Sequence, residues 1–192
     1  MTKQLILASQ SPRRQEILRN LDIPFTVRTK TIDESVVKTK EPDAKVKQLA
    51  LLKGRSISVA ANEVVLAADT VVAYEGKIFE KPTSRQEAYE MITALNNDAH
   101  EVFTGVAIHS NEREIVFVEQ TTVTWWSLDE QMINWYINTN EPYDKAGAYG
   151  IQDLGALFVK EIKGDYFNVV GLPISRVVRE LQSFGIHIFQ SQ

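Results

Sequence analysis

A chain of 192 residues with 44% hydrophobic and 24% charged residues suits one well-buried domain and is too short for two independent ones. Its formal net charge of -4 argues against a polyanion lying across the surface, so any phosphate affinity must be local. No apolar stretch approaches the ~20 residues of a membrane helix, the opening apolar run is far too short for a signal peptide, and the lack of cysteine removes disulfides, zinc-cysteine sites and thiol nucleophiles; a cytoplasmic protein is expected.

The run from Leu5 to Ala8 reads as a buried strand, and Ser11-Pro12 then places a helix N-cap before a proline at the first helical position. The helix should bury Ile17, Leu18 and Leu21. Pro24 to Val27 is a candidate strand, followed by a polar segment around Asp33-Glu34-Ser35. A second helix from Pro42 turns Val46, Leu49, Ala50 and Leu52 inward, with Lys53 near its middle or its end depending on whether Gly54 stops it. Val64 to Ala68 is a continuous apolar run that should break at Asp69-Thr70 and resume as Val71 to Tyr74, before a hairpin turn at Glu75-Gly76 and a return over Lys77 to Phe79. After Glu80-Lys81-Pro82, Ser84 and Glu87 form a capping box for a helix reaching about Asn96.

Val102 to Ile108 and Glu114 to Trp126 read as paired strands joined around Asn111-Glu112. Ser127 and Glu130 suggest another capping box, with Met132, Ile133, Tyr136 and Ile137 inward. A loop with Gly147 and Gly150, a hairpin around Lys163-Gly164-Asp165 and a last helix from Pro173 complete the chain. Strands and helices alternate first and strands cluster later, which predicts a mixed sheet with helices on its faces.

Chemistry concentrates in a few places. The turn after the first strand brings Ser9, Ser11, fresh helix N–H groups, Arg13 and Arg14 to one small volume that suits an anion, although two solvated arginines on an ordinary capped helix explain the pattern as well. Asp69, between two Val-rich runs, would cost several kcal/mol to bury alone, so it must pair, bind a cation, or sit at a strand end. Glu34, Glu80 and Asp144 are further carboxylates, and any two meeting Asp69 would make an oxygen site for magnesium or manganese. Lys53 and Lys81 read singly as solvated lysines. His100, His109 and His187 show no ligand spacing, and His109 beside a turn reads as a surface residue. The Gly147 to Gln152 loop offers backbone donors and close approach, but it is neither a Walker loop nor a dinucleotide fingerprint.

Taken together, Ala8-Ser9-Gln10-Ser11-Pro12-Arg13-Arg14, Ala68-Asp69-Thr70-Val71, Glu80-Lys81-Pro82, Asp144 through Gln152 and Val170-Gly171-Leu172-Pro173 resemble the signatures of the Maf family of house-cleaning nucleoside triphosphate pyrophosphatases, once described as septum-formation proteins. The resemblance covers nearly the whole chain. It implies one domain over residues 1–192 and an α/β fold: a long twisted mixed β-sheet flanked by helices, two lobes with a central cleft, similar to inosine triphosphate pyrophosphatases. It also implies hydrolysis between the α and β phosphates with a divalent cation, Mg2+ or Mn2+. The position matching Asp69 is the proton acceptor, and Ser9, Arg13, Glu34, Lys53 and Lys81 match positions lining the catalytic site. Arg13, Thr70 and Gln152 match the subfamily that takes dTTP and UTP. Arg14 is added to the substrate contacts, and Asp69 with Glu34 to the metal ligands.

The Gln152 amide offers one donor and one acceptor, which matches the O4 and N3–H of uracil or thymine and mismatches cytosine. The expected partner is a nucleoside triphosphate, with no nucleic-acid polymer and no membrane; a homodimer stays open. The rival reading is a nucleotide-binding regulator of cell division and septum formation, with hydrolysis incidental.

Overall fold

The computed structural model describes residues 3–187. The first apolar run is strand β1 (Gln4–Leu7), and the serine-proline start opens helix α1 (Pro12–Asn20). Ile17 and Leu18 are buried, whereas Leu21 lies just past the helix end and is exposed, contrary to expectation. Strand β2 (Phe25–Val27) and helix α2 (Pro42–Arg55) follow. Gly54 does not stop α2. Lys53 therefore rides on its last turn.

Strand β3 (Glu63–Tyr74) runs unbroken through Asp69-Thr70, where the sequence predicts a break, because Asp69 finds a partner and its backbone stays in the ladder. Glu75 and Gly76, with φ of 48° and 73°, turn the chain into strand β4 (Lys77–Phe79), as a left-handed two-residue hairpin requires. Helix α3 (Arg85–Leu95) is capped by Ser84, which accepts the Glu87 N–H at 3.1 Å. Strands β5 (Ala99–His109) and β6 (Glu114–Trp125) come next.

Helix α4 (Glu130–Ile137) departs from the expected capping box: Asp129, not Ser127, accepts the Met132 N–H, at 2.7 Å, because the helix begins at Glu130 itself. Strand β7 (Val159–Lys163) is not followed by the predicted hairpin. Gly164 presses against Thr121, Asp165 Oδ1 accepts the Phe167 N–H at 2.8 Å, and the chain enters the short helix α5 (Tyr166–Val170). Helix α6 (Ile174–Gln182) packs Val177 and Leu181 inward.

Among the described residues seven strands form one mixed sheet in the order β2-β1-β3-β5-β6-β7, with β4 beside β3, and the helices flank it. β1 is parallel to both β2 and β3; β4 and β7 pair antiparallel with β3 and β6. The described chain divides into two compact units. The first holds the residues up to Asp69, Thr104–Glu119 and the segment from Gly171 onward; the second holds Thr70–Phe103 and Gln120–Val170. The core of the second unit is aromatic, with Trp125, Tyr136, Tyr149 and Phe158 stacked edge to face. No helix among the described residues is long and apolar enough to cross a membrane.

Candidate active site

In the first unit the parallel register sets the geometry. Leu7 lies opposite Leu66, and the Ala8 N–H donates to Leu66 O at 2.8 Å, so β1 hands the chain to Ser9 beside the β3 segment that ends in Asp69. The carboxyl ends of neighbouring parallel strands are where open α/β sheets gather their ligands.

Ser9 is buried. Its Oγ accepts the Ser11 N–H at 3.2 Å and an Arg14 Nη1–H at 3.1 Å, while Arg14 Nε donates to Gly171 O at 2.7 Å. Arg14 is thus built into the fold, tying the first turn of α1 to the loop before α6. Burial lowers its pKa to about 10, against the raising influence of Asp69 and Glu34, and it stays cationic at neutral pH. Arg13 stands beside it, partly buried, and its charge also presses on Arg14.

Lys53 Nζ lies 2.5 Å from Asp69 Oδ1 and 3.1 Å from Glu34 Oε1. The Glu34 turn is shaped by Asp33, whose carboxylate accepts the N–H and O–H of Ser35 at 3.0 and 2.6 Å. Burial pushes the Asp69 carboxyl up from its ordinary value; the charge and hydrogen bond of Lys53 oppose that rise, as does the charge of Arg14. Two carboxylate oxygens meeting one ammonium are a hard donor set, and magnesium accepts one or two carboxylates when phosphate oxygens complete its shell. The residues therefore fit such an ion. Among the described residues no three metal-ligating side chains converge.

His109 corrects the expected surface placement. It is buried, with Nε2 2.9 Å from Gly54 O; because a carbonyl only accepts, Nε2 carries the proton. It holds the helix turn that carries Lys53. A side chain at Gly54 would make only ordinary contacts with Ala67 and His109, so this glycine is not demanded by space. Nothing in the sequence marks His109, because its partner is a backbone carbonyl 55 residues away.

In the second unit, Thr70 continues β3 and Lys81 is exposed within Glu80-Lys81-Pro82. The Glu80 carbonyl accepts the Gly147 N–H at 3.1 Å, so this motif and the glycine loop are neighbours. Gly147 and Ala148 both take left-handed backbone, φ 69° and 61°, and a Cβ at Gly147 would stand 2.8 Å from Val72. Asp144 bonds Lys145 Nζ at 2.8 Å, and Gln152 is exposed. Sequence reasoning also missed Glu141 and the buried Lys145, whose ammonium donates to Glu141 O at 2.9 Å.

A family model described as Maf-like protein matches residues 4–184. A Bacillus cereus protein named dTTP/UTP pyrophosphatase is 46% identical over 187 residues, covering 97% of this chain and 98% of its own length. A Halalkalibacterium halodurans protein of the same name is 50% identical over 184 residues, covering 95% and 97%. Among solved structures, the Staphylococcus aureus Ham1 protein is 14% identical with a TM-score of 0.46, covering 64% of this chain and 72% of that one. A Coxiella burnetii HAM1 protein gives 14% and 0.40, covering 65% and 73%. With the family model spanning nearly all of its length and relatives near half-identical from end to end, the chain belongs to the family of Maf-like proteins.

Proposed function

We propose that this protein hydrolyses nucleoside triphosphates, dTTP and UTP foremost, between the α and β phosphates, and that residues 1–192 act as one functional domain in the cytoplasm. The observation that carries the reading is the Lys53 ammonium set between Asp69 and Glu34 in the unit that also holds Ser9, Arg13 and Arg14. Relatives near half-identical over their whole length bear the name dTTP/UTP pyrophosphatase.

In this reading Arg13, Arg14, Lys53 and Lys81 neutralise the polyphosphate, and Ser9 hydrogen-bonds it. Asp69, whose burial raises its basicity against the opposing charge and hydrogen bond of Lys53, accepts a proton from the attacking water. The water oxygen bonds to the α phosphorus, the bond from the α phosphorus to the bridging oxygen breaks, and pyrophosphate leaves carrying that oxygen. Asp69 and Glu34 would hold Mg2+ or Mn2+, which when bound supplies further neutralisation of the phosphate charge. Gln152 and Thr70 select the pyrimidine.

The test is a panel of canonical triphosphates, with Mg2+ or Mn2+ and with chelator, scored for pyrophosphate against single phosphate. Pyrophosphate from UTP and dTTP, lost with chelator and with Asp69→Asn while nucleotide still binds, is expected. Release of single phosphates would move the reaction to the γ position and overturn the reading.

A further inference from the structure

Gln152 rides on a loop whose two ends touch. A Cβ on Gly155 would stand 2.4 Å from Gly150 O and 3.1 Å from Gly150 N, so the backbones at 150 and 155 are in direct contact and only glycine closes this neck. A Cβ on Gly150 would collide with Lys145, at 2.5 Å from Cε, and would lie 3.5 Å from Glu141 Oε1. The neck is therefore walled by Lys145 on one side and Glu141 on the other.

Glu141 does the fastening. Its Oε2 accepts the Leu154 N–H at 2.9 Å, and its Oε1 accepts the Gly155 N–H at 3.1 Å and the Tyr136 hydroxyl at 3.0 Å. Its own carbonyl takes the Lys145 ammonium at 2.9 Å, while Asp144 balances that charge at 2.8 Å. One carboxylate thus spans the two backbone donors that follow Gln152, and joins them to helix α4 through Tyr136. Every residue of this arrangement lies in the second unit, whereas Ser9, Lys53 and Asp69 lie in the first.

We infer that Glu141 is a positioning residue for base selection: by fastening the neck at Leu154 and Gly155 it fixes where the Gln152 amide stands. This rests on the reading of Gln152 as the residue that meets the pyrimidine. A short loop clamped at its neck holds its tip in few conformations, so the amide pays little ordering entropy when a base arrives. A loosened neck lets the amide turn, and the distinction between uracil and cytosine fades while the phosphate chemistry proceeds.

The experiment compares Glu141→Gln with the unaltered protein. An amide has one acceptor oxygen, so this variant sets an NH2 group against a backbone N–H and loses a bond to the neck. The expected result is a KM for UTP raised about tenfold, a UTP-to-CTP ratio of kcat/KM lowered by a similar factor, and kcat for UTP within about threefold. Hydrogen exchange at the Leu154 and Gly155 amides should quicken in the same variant. Faster exchange with an unchanged ratio overturns the inference, and so does a fall in kcat with KM unchanged.

Tyr136→Phe keeps both backbone bonds and removes only the hydroxyl, so it serves where the first variant fails to fold. Its ratio should fall about twofold to threefold, and an unchanged ratio again overturns the inference. Gln152→Glu separates the two levels. If it leaves the ratio alone, the reading of Gln152 is wrong whatever the neck does; if it alters the ratio and Glu141→Gln does not, only the role of Glu141 falls.

Discussion

Lys53 Nζ stands 2.5 Å from Asp69 Oδ1, so the last turn of α2 delivers its charge to the middle of β3. Each group answers a problem of the other. Asp69 is partly buried, and the ammonium offsets part of the desolvation that raises its pKa. Glu34 shares the same ammonium from an exposed turn.

Replacing Lys53 with Met should raise the Asp69 pKa further, because burial remains and the largest opposing influence goes. The acid limb of the kcat/KM profile should move to higher pH, and stability at neutral pH should fall by about 2 kcal/mol. The sign follows from linkage. A carboxyl raised in the folded state favours folding below its unfolded value and loses that contribution as pH rises through the folded value, so the variant should be least impaired in acid. Denaturant titrations at several pH values, with the rate profile, check both.

Arg13 and Arg14 should separate by experiment. Arg14→Ala removes the side-chain donor to Gly171 O and one of the two donors to Ser9 Oγ, so it should cost about 2 kcal/mol of stability as well as raising KM. Arg13→Ala should raise KM for triphosphate about tenfold or more with a smaller loss of stability. Equal melting shifts for the two would contradict this assignment.

His100 predicts a stability change in weak acid. Burial lowers its pKa to about 4, while Nε2 lies 2.7 Å from the Tyr149 hydroxyl. A histidine depressed from 6.5 binds protons in the unfolded chain first, so stability falls as pH drops from 6.5 toward 4. About 2 kcal/mol should be lost between pH 7 and pH 5 on this account. His100→Phe should abolish that difference, as measured by chemical denaturation at the two pH values.

Gln152→Glu tests the base reading most directly. The carboxylate keeps an acceptor and loses the donor, so recognition of the O4 acceptor of uracil goes. Turnover of UTP relative to CTP should fall about tenfold or more, read as the ratio of kcat/KM values.

Much of the fold was legible locally. Apolar runs located β1 and β3, Pro12 and Pro42 opened α1 and α2, and Ser84 capped α3, because those signals act between residues a few positions apart. The errors came where a distant partner decided. The apparent break at Asp69-Thr70 vanished because Lys53 satisfies the carboxylate, and Ser127 lost the cap to Asp129 through the true start of α4. His109 left the surface because a carbonyl of α2 faces it.

Local pattern was enough to mark the residue types of the candidate site, the serine-arginine start of α1, the carboxylate within the apolar run of β3 and the family to which these belong. Contacts across the fold were needed to learn that Lys53 joins Asp69 to Glu34, that Arg14 spans Ser9 and Gly171, and that Glu141 fastens the Gln152 loop at Leu154 and Gly155. The reason is physical. Helix starts and strand patterns are settled by neighbours along the chain, whereas ion pairs and backbone capture depend on which elements the sheet order and the packing of the loops bring within 3 Å, and no local spacing encodes that.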